Sequence, residues 1–149
     1  MKQEDKELLL KDLCARLPYG VICHYNCVAE YDTMVLQKAN CVNKLEGIIP
    51  FNGQIGYMVG GDKVNALSGD IKPYLRPLLS MTEEEKKIIA DKCGFSFKGP
   101  VGGKIDLVMS ILAVDWLIDF YNKNHFDYRG LIEKGLAIAV TEENNPYKE

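Results

Sequence analysis

The chain has 149 residues, with 18 Lys plus Arg against 21 Asp plus Glu and 47% hydrophobic residues. That apolar fraction at a net charge of -3 excludes a disordered chain, and 13 Gly with 6 Pro exclude a coiled coil or fibre. A pI near 5.5 disfavours a dedicated nucleic-acid binder, and the length fits one domain over 1–149 with a single core.

Residues 4–17 read as an amphipathic helix, the N-terminal element of 1–18. Leu9, Leu10, Leu13, Cys14 and Leu17 form its apolar set, with Lys11, Asp12 and Arg16 on the other side. Pro18 stops it and Tyr19-Gly20 turns the chain. Residues 19–70 are β-rich. GVICHYNCV is the first strand and DTMVLQKANCV the second, joined at Glu30-Tyr31-Asp32. Asn43 to Glu46 suits a turn or bulge. Asn52-Gly53 is a hairpin signal before the short strand IGYMVGG. Gly60-Gly61-Asp62 turns again into KVNALSGD.

Residues 71–82 hold Pro73 and Pro77, which push Lys72 and Arg76 to extended conformations. This reads as an irregular linker between the β-rich part and a helical part at 83–140. Thr82 with Glu85 is a capping box opening a helix to about Lys92, with Gly94 as its stop. FSFKGPVGG is a loop. Residues 104–123 form the longest helix, with Trp116, Leu117 and Phe120 in the core. KNHFDYRGLI is a turn region, GLAIAV a last strand or strap, and 141–149 an exposed polar tail. The fold expectation is α+β: a small antiparallel sheet or barrel of four to five short strands, with one N-terminal and two C-terminal helices packed on it.

No motif specifies a reaction. Cys23, His24, Cys27 and Cys41 are the densest ligand types. On a strand, however, Cys23 and Cys27 sit about 13 Å apart with His24 facing away, so no metal site is expected. The five cysteines read as free thiols, several of them buried. KGPVGGKI fails the phosphate-loop pattern: Lys98 stands where its first Gly belongs and Ile105 where Ser or Thr belongs. Asp115 and Asp119 share a helix face that reads as solvated. No cofactor is expected. Neither a secretory signal nor ~18 consecutive apolar residues occurs, which favours a cytoplasmic protein without a membrane partner.

Two segments combine aromatic residues, arginine and irregular backbone: Pro73-Tyr74-Leu75-Arg76-Pro77 and Phe126-Asp127-Tyr128-Arg129-Gly130. Tyr and Arg supply most interface hot spots. Tyr74, Arg76, Asp127, Tyr128 and Arg129 are therefore the candidate binding residues, although loop arginines and tyrosines also serve structure.

The chain carries KDLCARLPYGV at 11–21, IKPYLRPLLSMTEEE at 71–85 and NHFDYRGLIEKGLA at 124–137. The chain resembles a family of small uncharacterised proteins from Bacteroides-type gut bacteria and their phages or prophages. The resemblance implies a bacterial or phage cytosolic setting and no activity. It also implies proline at the position of Glu133, which favours an extended 128–134 over a helix.

The leading expectation is a non-catalytic binding or accessory protein acting through contacts with an unknown protein partner; self-association is compatible with it. One alternative is a small enzyme that joins Cys93 or Cys41 to His125. The other is a nucleic-acid-associated regulator with Lys38, Lys44, Lys63 and Lys72 on one face of a small barrel.

Overall fold

The computed structural model describes residues 1–31, 34–51, 53–65, 71–93 and 111–148. The fold is α+β. Helix α1 (Gln3–Arg16) runs into a 3-10 turn, Leu17–Tyr19, and then into strand β1 (Ile22–Tyr31). Strands β2 (Met34–Phe51), β3 (Gln54–Val59), β4 (Asp62–Asn65) and β5 (Ile71–Leu75) follow. Then come helices α2 (Glu83–Cys93) and α3 (Ile111–Lys123) and strand β6 (Ile138–Ala139).

The sheet order is β4-β3-β2-β1-β5-β6. All pairs are antiparallel except β5 with β6, which are parallel. Among the described residues the sheet is mixed, six-stranded and not closed into a barrel, where the sequence pointed to four or five antiparallel strands. The strand at 71–75 was not expected; the one at 138–139 lies within GLAIAV, the expected last strand or strap. The prolines do hold 71–77 extended, but that segment is a strand flanked by β1 and β6, not an irregular linker.

Both hairpin turns follow the sequence signals. Phe51 pairs with Gln54 across Asn52-Gly53, and Val59 pairs with Asp62 across Gly60-Gly61. Glu30 and Tyr31 pair with Val35 and Met34, so two residues of the expected Glu30-Tyr31-Asp32 turn are strand, while Asp32 lies outside the described residues. Asn43 to Glu46 remains strand with one bulge, where Glu46 lies between the Leu45–Val59 and Gly47–Met58 pairs. A second irregularity sets Ala39 and Asn40 against Asn26, and Asn40 takes φ 55°.

Bulges add twist, and the sheet curls until β1 approaches β4. Tyr25 Oη donates to Asp62 Oδ2 at 2.9 Å across that interval. The concave side holds Cys23, Tyr25, Leu45, Tyr57, Val59, Val64 and Ile71, and α1 seals it with Leu9 and Leu13. A second core joins Met81 and Ile89 to Ala113, Leu117 and Phe126, with Trp116 and Phe120 packed against it.

The capping box is present. Thr82 Oγ1 accepts from the Glu85 amide at 3.2 Å, and Glu85 Oε2 accepts from the Thr82 amide at 2.8 Å. Gly94, the loop after it and residues 104–110 lie outside the described residues, as do the failed phosphate-loop pattern and the start of the long helix. Residues 131–135 are turns rather than a helix.

Helix α1 corrects the sequence reading. Leu9, Asp12, Leu13 and Arg16 are its buried residues, while Cys14 is exposed. At 100° per residue, positions 9, 12, 13 and 16 share one face. Asp12 and Arg16 therefore point inward with the leucines, not outward with Lys11.

Candidate functional site

The buried charges come first, because they fix the site's framework. Arg16 Nε and Nη2 donate to the two Asp12 carboxylate oxygens at 2.7 and 3.0 Å. Arg129 Nη1 adds a third bond to Asp12 at 3.0 Å. Arg16 Nη2 also donates to the Phe126 carbonyl at 2.7 Å. One carboxylate and two guanidiniums thus tie α1 to the turn after α3. Buried charges need such partners.

That turn has its own logic. The Phe126 amide donates to the Tyr121 carbonyl at 2.9 Å and the His125 amide to the Asn122 carbonyl at 3.2 Å. This is the Schellman helix ending, whose left-handed residue is ordinarily glycine. Here it is His125, at φ 58°. Left-handed backbone costs a side-chain-bearing residue roughly 1–2 kcal/mol, so surrounding contacts must hold it. Its ring stacks on Tyr147, with centroids 4.3 Å apart and planes at 12°. Tyr147 Oη is fixed in turn: it donates to the Tyr74 carbonyl at 2.8 Å and accepts from the Ile22 amide at 3.2 Å. The tail at 141–149 is therefore not simply an exposed strand of polar residues, because Tyr147 returns to the β1–β5 seam.

His125 is 8% exposed, and its Nδ1 has no hydrogen-bond partner among the described residues. Its pKa is lowered to about 4, first by burial and then by Arg16 and Arg76, with Asp12 opposing them. The imidazole is neutral near pH 7.

Strand β5 meets the turn directly. The Arg76 amide donates to the His125 carbonyl, and the Asp127 amide donates to the Arg76 carbonyl, both at 2.8 Å. The Arg76 guanidinium lies 4.2 Å over the Phe126 ring and grips Glu85 through two bonds of 2.7 and 2.9 Å. Burial pushes the Glu85 pKa up, but Arg76 and the Thr82 amide outweigh it, and the carboxyl ends below its usual range. Arg76, Lys123, Asn124, His125, Asn145 and Tyr147 line an open cleft of about 390 Å³.

No family model, curated protein or solved structure matches this chain.

The structure brings the two sequence-predicted segments side by side through the Arg76–Phe126 bridge. Tyr74 is half-buried beside the Tyr147 hydroxyl. Asp127 is buried, and its two oxygens accept from the Leu131 and Ile132 amides at 2.8 Å each. Tyr128 carries Arg129 over its ring at 4.6 Å and donates to Asn122. Asp127 and Arg129 thus hold the turn together, Arg76 lines the cleft, and Tyr74 meets the cleft residue Tyr147 through its carbonyl.

Among the described residues, no thiol hydrogen-bonds His125 Nδ1. The ionisable groups that act on His125 are Arg16, Arg76 and Asp12. Burial raises the Cys93 pKa, and burial followed by Asp12 raises that of Cys23. Neither favours the thiolate a nucleophile needs. Cys14, Cys23, Cys41 and Cys93 are free thiols. Among the described residues, no three His, Cys, Asp or Glu side chains converge as a metal site, and no helix is long and apolar enough to cross a membrane. Asp119 accepts a hydrogen bond from the Tyr19 hydroxyl, so it is not simply solvated.

Sequence reasoning missed Lys123, Asn124, Asn145 and Tyr147 as site residues, along with the buried Asp12–Arg16 pair. The i, i+4 spacing of Asp12 and Arg16 was an available signal. Nothing local in the tail marks Tyr147.

Proposed function

We propose that this chain is a non-catalytic accessory protein of bacterial or phage origin, acting in the cytoplasm through a protein partner held where β5 meets the turn after α3. One observation carries the reading. Two aromatic and arginine segments about fifty residues apart in sequence are bonded edge to edge beside an open polar cleft. The framework beneath is fixed by a buried charge network, so the surface is presented ready-shaped, which lowers the ordering cost of binding.

The test is affinity isolation from the source organism with the full chain and with a Tyr74→Ala/Lys123→Glu variant. One partner recovered by the native chain and reduced about tenfold by the variant supports the reading, as expected for loss of an interface anchor. Equal recovery by both chains, or no partner at all, overturns it.

A second reading has its own observation. Lys44 and Lys72 flank β1 opposite Ile22 and His24, and Lys63 pairs with Met58. All three fall on the side of the sheet away from the buried core. Lys38 pairs with Cys27. A nucleic-acid role using this face requires retention on heparin that falls steeply with salt; absence of binding at low salt contradicts it.

A further inference from the structure

We propose that the cleft beside His125 is a carboxylate-binding subsite, taking an acidic side chain or terminal carboxylate of the protein partner; this rests on the binding reading above and specifies its chemistry. Three observations converge. First, the cleft wall holds Lys123, exposed and with no ion pair among the described residues, and the amides Asn124 and Asn145. Second, the His125 ring is stacked on Tyr147, and its buried Nδ1 has no hydrogen-bond partner among the described residues. A buried polar nitrogen without a partner is uncommon and calls for an explanation. With Nδ1 sealed and unpartnered, the single proton of the neutral ring belongs on Nε2, and a ligand oxygen in the cleft that His125 lines would accept from it. Third, the carbonyls ending α3, which would repel an anion, are already occupied. Phe120 accepts from the Asn124 amide and side chain, Tyr121 from the Phe126 amide and Arg16, and Asn122 from the His125 amide.

Charge selects the ligand. Arg76 is committed to Glu85, which leaves Lys123 as the cation facing the cleft without an acidic partner. One uncompensated charge matches a monoanion such as a carboxylate better than phosphate, whose charge is about -1.5 to -2 at neutral pH.

The test uses the full chain, uniformly 15N-labelled, at pH 7 and constant ionic strength. Sodium acetate is titrated against sodium chloride and inorganic phosphate. Acetate is expected to shift the His125 ring nitrogens saturably while chloride does not. Lys123→Gln weakens acetate about fivefold, as for loss of one exposed charge pair. His125→Asn keeps the left-handed turn, because Asn tolerates it, and abolishes the shift of the Lys123 and Asn124 amides. A shift that follows chloride equally, or is unchanged in Lys123→Gln, overturns the subsite. Tighter binding of phosphate than of acetate overturns the carboxylate assignment. Loss of acetate binding with partner capture intact refutes this subsite alone. Loss of partner capture with acetate binding intact refutes the binding reading alone.

Discussion

Asp12 accepts from two arginines in a site where it and Arg16 are fully buried, so the acid is the hub of the framework. Removing one member of a buried ion network leaves uncompensated charge, which costs about 3–5 kcal/mol. Asp12→Ala should lose that much in urea denaturation, and a loss below 1 kcal/mol would contradict the role. His125 makes a second residue-scale prediction. Its folded pKa, about 4, lies below its ordinary 6.5. Protonation therefore favours the unfolded chain. The imidazole has no effect on stability above pH 7, destabilises progressively as pH falls from 6.5 to 4, and saturates below that. The full effect is on the order of 3 kcal/mol. His125→Asn should flatten the stability profile in this window; an unchanged profile would show that the imidazole is not the group responsible. Gly60 supplies a third. It has φ 56°, and a Cβ there would come within 2.2 Å of the Asn43 side chain. Gly60→Ala should cost roughly 1–2 kcal/mol, and adding Asn43→Ala should restore only the part due to the contact.

At the scale of elements, helix α2 begins where Glu85 does two things at once. It closes the capping box with Thr82 and receives Arg76 from β5. Thr82→Ala removes one cap bond and should cost about 1 kcal/mol. Glu85→Gln should cost more, because it also strips the charge from the Arg76 pair. Calorimetry on both variants checks the order, and equal losses would deny the strand–helix link. The sequence was most legible in such local devices: the capping box, Asn52-Gly53, Gly60-Gly61 and the bulge near Glu46 all have a chemical signature within a few residues. It was least legible where placement decides identity. The two prolines of 71–77 guarantee extended backbone, but only pairing with β1 and β6 makes it a strand. Asp12 and Arg16 look like surface charges until Arg129, more than a hundred residues later, completes their network.

For the whole molecule, two cores meet at one seam: the curled sheet sealed by α1, and the α2–α3 core that ends in Phe126. Arg16, Arg76 and Tyr147 bridge them, and the cleft opens at that seam. Composition bounded a single domain and the pattern along the chain made it α+β, but neither could show that the segments around Arg76 and Phe126 adjoin. The binding surface is the central claim, and photo-crosslinking tests it most directly. A photoreactive residue at Tyr74, compared with one at Gln3 on the far end of α1, should capture a single protein partner in the source organism only from position 74. Equal capture from both positions, or none from position 74, would contradict the account.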